Sequence, residues 1–389
     1  MPSTADRHVR VDLPPDHFVP PRRRAWLDHH GVRDRAREIA FARTRDHWHL
    51  AIHRFGYART RRHPVVLIHG LAANRFTFDL DEERSFARHL AAQGFDVFVL
   101  ELRGHGRSEQ PGTRPPLPDE LERRGRLGSA PSKHWDWDFD RYVDFDLDAA
   151  FDVILAWSGA SSLHAIGHSM GGIALAVRAG REDPRLRSVA TVASALDYSG
   201  TESVFHAARR LLWMTRLIQV VPLGPLAAAL SPIALAFPNP IDAVNVWHRN
   251  VEVARYRRLV ALGFHPIPGD VLADLAAAFV RPGMKDDGVP VAPTLPKRTP
   301  ILAVAGSKDV QCTPEAAARH AGGRSLAFGR AHGHPEDFGH FDLLMGARTV
   351  WPARGLAGSK TTELFWSGSL ALRSVGPAAR LISVGCADF

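Results

Sequence analysis

Ile166-Gly-His-Ser-Met-Gly-Gly-Ile173 lies between a strand-like apolar run, Ser162 to Ile166, and a helix-like run, Ile173 to Ala179. Within it, Gly167, His168, Ser169, Met170 and Gly171 form a Gly-x-Ser-x-Gly pentapeptide. A strand that turns into a helix this abruptly brings backbone against backbone. Side chains beside the serine would collide with it, so glycine is expected on either side. Such a turn lifts the Ser169 hydroxyl to the end of a sheet, where it can act as a nucleophile. The alternative is a glycine-rich turn that merely packs a helix on a strand. The strand before it and the helix after it favour the chemical reading.

A serine nucleophile needs a base, an acid to orient that base, and donors for the developing oxyanion. Pro64-Val-Val-Leu-Ile-His-Gly-Leu71 is a short apolar run ending in His69-Gly70, and Gly70 lets backbone approach a substrate without a Cβ in the way. A plain strand-end turn is the simpler reading of the same residues. Pro300-Ile-Leu-Ala-Val-Ala-Gly306 reads as a buried strand with Ser307-Lys308-Asp309 at its carboxyl end, the end that carries chemistry in open α/β sheets. Asp309 is the candidate acid; an Asx-turn or helix cap before Pro314-Glu315 is its other reading. His340, in Asp337-Phe-Gly-His-Phe-Asp-Leu-Leu344, is the candidate base. The chain has 21 histidines, and His332 and His334 compete nearby, with His334 the fallback. Asp342 is placed to orient the loop rather than to act chemically.

Together these residues, in the chain order Ser, Asp, His, resemble the α/β-hydrolase superfamily. Glu101-Leu-Arg-Gly-His-Gly-Arg-Ser108 adds to the resemblance, as do Trp135 to Leu147 and Phe338 to Gly346. The similarity runs from about Glu38 to Pro352 and leans to the lipase and esterase branch that includes the acid lipases. Polyhydroxyalkanoate synthases are similar around Gly339-His340-Phe341-Asp342, but they carry cysteine at the elbow where this chain has Ser169. The resemblance implies a mostly parallel central sheet flanked by helices, with an inserted helical cap. It implies an oxyanion hole from the backbone N–H groups of Leu71 and Met170, supported by His69, Gly70, Gly167, His168 and Gly171. Each such donor is worth roughly 3 kcal/mol of barrier.

The chain's 389 residues are enough for one large core plus a cap. With 49 Lys and Arg against 41 Asp and Glu, the net charge is +8. Arginine is scattered, lysine is scarce and no nucleic-acid motif appears, so no nucleic-acid partner is expected. The two cysteines, Cys312 and Cys386, suit a reducing compartment better than a structural disulfide. Met1-Pro-Ser-Thr-Ala-Asp lacks the apolar core of a signal peptide, and a cytoplasmic location is the default expectation.

Along the chain, residues 1–35 read as a polar, proline-containing arm, and 36–197 as the first part of the α/β core, opened by a hairpin from about Glu38 to Arg54. Gln110 to Lys133 is a Pro, Gly and Arg-rich loop, either a gate or a solvated insertion. Residues 198–296 read as the cap and 297–352 as the second part of the core. Leu217 to Pro238 has no charged residue and is long enough to span a bilayer, but Pro222, Gly224, Pro225 and Pro232 point to short broken helices. Transient contact with a membrane surface or lipid is the other reading of this stretch. Residues 353–389 form an atypical tail: Arg354 to Thr362 is a poor helix where a closing helix is expected, so that helix is missing or replaced, the alternative being a divergent terminus.

The expectation is thus a serine hydrolase of carboxylic esters with an apolar acyl group, using Ser169, His340 and Asp309 and needing no metal or organic cofactor. An acyltransferase on the same scaffold, or a hydrolase-like binding protein, are the alternatives. Oligomeric state is not legible in the chain.

Overall fold

The computed structural model describes residues 8–11, 36, 38–56, 62–112, 133–206, 215, 217–286, 289–291, 299–319 and 324–348. The arm beyond 8–11, most of the 110–133 loop and the whole tail 353–389 lie outside the described residues.

Nine strands form one sheet among the described residues: β1 (His8–Val11), β2 (Glu38–Arg43), β3 (His49–Arg54), β4 (Val65–Ile68), β5 (Val97–Leu100), β6 (Leu163–His168), β7 (Leu186–Val192), β8 (Ile301–Gly306) and β9 (Ser325–Phe328). Their order is β1-β2-β3-β5-β4-β6-β7-β8-β9. The first three strands and the β3/β5 pair are antiparallel. From β5 to β9 every pairing is parallel. Val65-Val-Leu-Ile68 and Val97-Phe-Val-Leu100 are wholly buried, as strands covered on both faces must be. The expected hairpin is β2/β3. Its neighbour β1 was not anticipated in the arm; it adds a strand outside β2, with His8 opposite Ala42.

Helices α1 (Phe86–Ala92), α2 (Leu147–Ser158) and α3 (Met170–Gly180) follow β4, precede β6 and follow β6 in turn. Ser85 caps α1 through its side chain, and Gly159 ends α2 in the left-handed region at φ 69°. Between β7 and β8 lie α4 (Leu223–Leu230), α5 (Pro240–Asn245), α6 (Val253–Leu262) and α7 (Gly269–Leu275). Two small two-stranded sheets accompany them, one pairing Val220–Val221 with Ile267–Pro268. The proline-rich stretch is cut into pieces, and α4 spans only eight residues. Among the described residues no helix is long and apolar enough to cross a membrane. Short helices α8 (Pro314–Ala318) and α9 (Asp342–Met345) complete the order.

The main core lies on the sheet's two faces. A second apolar cluster sits over the strands' carboxyl ends. It joins Ala73, Phe76 and Leu80 after β4 to Val246, Tyr256 and Leu259 of the inserted segment and to Phe341 and Met345.

Arg103, after β5, is almost fully buried. Its guanidinium donates to Asp146 Oδ1 from Nε at 2.8 Å and to Asp46 Oδ2 from Nη1 at 2.5 Å. Its backbone N–H also donates to Asp146 Oδ2, at 2.9 Å. These bonds tie the β2–β3 turn, the β5 loop and the start of α2 together. Removing one member of a buried pair leaves the other charge uncompensated. Asp146→Ala should therefore cost about 3 kcal/mol of stability, read as a lower urea midpoint at unchanged slope.

Candidate active site

The parallel strands place their carboxyl ends side by side, and the sequence-predicted residues follow four of them. Ile68 at the end of β4 pairs with Gly167 near the end of β6, which sets His69-Gly70 beside Ser169. A Cβ on Gly70 would lie only 2.9 Å from the Cβ of Ser169. Asp309 follows β8, and His340 lies on the long connection after β9.

Ser169 has φ 51° and ψ −122°, a conformation that a non-glycine residue adopts only under strain. It is half-buried and stands directly before α3. Three bonds hold the turn: Ser169 N–H to Val192 O at 2.8 Å, Gly172 N–H to Ser169 O at 2.9 Å, and the Ser194 hydroxyl to Ser169 O at 2.8 Å. A Cβ on Gly171 would come within 2.5 Å of the carbonyl oxygens of Ile68 and His69, so glycine is required there. Met170 opens α3, and its N–H has no partner within the helix.

His340 Nδ1 lies 2.9 Å from Asp309 Oδ2, and both side chains are buried. Asp309 Oδ1 accepts from the N–H groups of Gln311 and Cys312, each at 2.9 Å. The carboxylate is thus fixed at one oxygen and presents the other to the imidazole. An accepting carboxylate keeps the proton of neutral His340 on Nδ1 and leaves Nε2 able to take another. His334 does not share this arrangement; its ring lies against that of Phe328, tilted by 33°, with centroids 4.5 Å apart. His168 supports the histidine loop. Its Nε2–H donates to His340 O at 3.2 Å, and its ring lies 4.7 Å from that of His340.

His69 bridges two loops: Nδ1–H donates to Gly70 O at 2.9 Å, and Nε2 accepts from Leu102 N–H at 3.1 Å. Burial pushes its pKa down to about 4. The neighbouring His105 ring, 4.9 Å away, is pushed down to about 3, by burial first and then by His69.

Several residues that shape the site were not singled out from the sequence. Glu101 is completely buried, meets His53 Nε2 at 2.9 Å and accepts from Arg107 N–H at 2.7 Å. Its signal was available: a carboxylate at the end of an otherwise apolar strand requires partners. Burial opposes its charge, yet His53 and Arg75 hold its pKa well below the usual carboxylate range. Asn74 Nδ2 reaches Leu262 O at 2.8 Å, and His265 N–H reaches Ala72 O at 2.7 Å, tying the inserted segment to the loop after β4. No local pattern announces these long-range bonds. Among the described residues no group of three or more His, Cys, Asp or Glu is arranged to hold a metal ion.

A family profile described as the alpha/beta hydrolase fold matches residues 63–221. A solved structure from a study of carboxylesterases of Nitrososphaera gargenis superposes with a TM-score of 0.50. It covers 78% of this chain and 92% of that one at 17% identity. The chain has the α/β-hydrolase fold. Parts of this chain are also similar to curated proteins. It is 29% identical over 178 residues to a Caenorhabditis elegans protein named lipase lipl-3, covering 42% of this chain and 41% of that one. It is 30% identical over 127 residues to sterol esterase 2 of Saccharomyces cerevisiae, covering 32% of this chain and 21% of that one. The similarity spans less than half the length of either relative.

The buried histidines have a consequence for stability. Below pH 6.5 the unfolded chain protonates His69 and His105, whereas the folded chain does so only near 4 and 3. The unfolded state then binds more protons, so stability falls as the pH drops from 6.5 toward 4, by about 1.4 kcal/mol per pH unit for each such group. His105→Asn should flatten that fall relative to the parent chain, measured as melting temperature against pH from 7 to 4.

Proposed function

We propose that the chain hydrolyses carboxylic esters through Ser169, His340 and Asp309. The observation that carries this reading is the 2.9 Å bond from His340 to Asp309 on the same sheet edge as the strained Ser169 turn. Ser169 Oγ attacks the acyl carbon while its proton passes to His340 Nε2. Asp309 keeps Nδ1–H oriented and stabilises the imidazolium. The N–H groups of Leu71 and Met170 receive the oxyanion. Collapse breaks the ester C–O bond, and His340 returns its proton to the leaving alcohol. Water, deprotonated by His340, then attacks the acyl-enzyme; the acid leaves and Ser169 regains its proton.

Relatives named as a lipase and a sterol esterase support an ester substrate. We read 198–296 as a cap over the site. Its charge-free stretch exposes Leu217, Leu226, Ile233 and Phe237, with Leu217 76% accessible, which suits an apolar acyl group and passing contact with lipid.

Wild type should hydrolyse p-nitrophenyl esters in a series from acetate to palmitate. Ser169→Ala should lower kcat by about 10⁴-fold or more at unchanged melting temperature. Retained turnover in that variant would overturn the assignment, and acyl transfer to an added alcohol in preference to water would move it to the transferase class.

A further inference from the structure

His340 is to make its catalytic contact through the side chain, but its chain neighbours are tied to the inserted segment, Phe341 directly and Gly339 through Asp342. Phe341 N–H donates to Asn245 O at 2.9 Å. Gly339 N–H donates to both carboxylate oxygens of Asp342, each at 3.0 Å. Asp342 is in turn gripped from across the molecule: Trp247 N–H reaches Oδ1 at 3.0 Å and Asn250 Nδ2 reaches Oδ2 at 3.0 Å. Asn250 also accepts from the next stretch of chain, from Arg348 N–H at its side-chain oxygen (2.8 Å) and from Ala347 N–H at its backbone oxygen (2.6 Å). Both Asp342 and Asn250 are fully buried.

The same segment touches the acid loop. Gln311 Nε2 donates to Val244 O at 3.0 Å, and the backbone N–H of Gln311 is one of the two donors that hold Asp309. Residues 244–250 therefore brace the loops of both acid and base. The three donors to Asp342 are neutral, and burial pushes this carboxyl up to about 6. A carboxylate sunk in this way is costly, and apolar packing alone would hold α9 more cheaply.

We propose that Asn250 and Asp342 are positioning residues for His340, through which the segment inserted between β7 and β8 aligns the imidazole with Ser169. This rests on the hydrolase reading given above. Without Asn250 the carboxylate loses one donor, the Gly339–His340 backbone gains freedom, and Nε2 strays from the serine hydroxyl. A misplacement of about 1 Å at a reacting group costs on the order of 100-fold in rate.

The test is the hydrolysis of p-nitrophenyl butyrate by Asn250→Ala, Asp342→Asn, His340→Ala and the double variant N250A/H340A. The expected result is a 10- to 100-fold fall in kcat for Asn250→Ala and Asp342→Asn with KM within twofold. In the His340→Ala background, Asn250→Ala should add no further loss, because the residue acts only through the imidazole. Unchanged kcat with a lowered melting temperature would overturn the proposal by making the pair merely structural, as would losses that multiply in the double variant. If Asp342→Asn does not fold, Asn250→Ala decides alone, since it removes one side chain and leaves the Trp247 and Gly339 bonds to Asp342. Wild-type kcat in His340→Ala would overturn the hydrolase reading and this proposal with it. A normal His340 dependence with an unaffected Asn250→Ala variant would overturn only the proposal.

Discussion

Ser169 is held at φ 51° by its surroundings rather than by its own preference. The close approach of α3 to the end of β4, allowed by Gly171, leaves the chain no room to relax. The parallel register of β4 and β6 then sets Gly70 against the serine. Strain of this kind costs on the order of 1–3 kcal/mol and persists only where neighbours over-determine the backbone. Here the neighbours are strands buried on both faces, packed too densely to yield. The candidate nucleophile, the oxyanion-hole candidates and the helix N-terminus are products of one constraint.

Around that turn the molecule buries several charged side chains. Glu101, Arg103, Asp146, Asp309 and Asp342 are all below the surface, and each has charged or N–H partners. In a low-dielectric interior such networks stabilise only when complete, and they specify one arrangement because partial ones are costly. The connections after β4, β5, β8 and β9 have only short turns and helices of their own, and these side chains add the long-range bonds that join one to another.

How much of this was legible in the chain follows from the range of the forces involved. The strands β4, β5, β6 and β8 are short apolar runs, and the turn at Ser169 is encoded within five residues. A sequence read locally therefore places them, together with Asp309 at a strand end. The choice of His340 over His334 rested on Gly339 before it and the apolar residues after it; in the fold His340 meets Asp309, whereas His334 lies against Phe328. The edge strand His8–Val11 escaped notice because its pairing energy comes from β2 and its own residues are half polar. The brace of Asn245, Trp247 and Asn250 was invisible for the same reason: its partners lie more than 90 residues away in the chain, and asparagine in a loop ordinarily signals a turn.

The inserted segment is usually thought of as separable from the sheet, since insertions between strands vary in length without disturbing the core. The contacts here argue for a tighter relation. The apolar cluster of Phe76, Val246, Tyr256, Phe341 and Met345 crosses from the β4 loop through the insertion to α9. Buried hydrogen bonds run beside it at Asn74, Asn245 and Asn250. A displacement of this segment that widened access to Ser169 would have to break some of these, leaving buried donors and acceptors unmatched at about 1–3 kcal/mol each. On the proposed reading, access is better sought along the α4 side, where Leu226 and Leu230 face outward. Residues 244–250 would then remain seated on the His340 loop while the apolar stretch before them adjusts to the acyl chain. On the proposed reading, one insertion combines a yielding half that meets substrate with a fixed half that keeps the base in place.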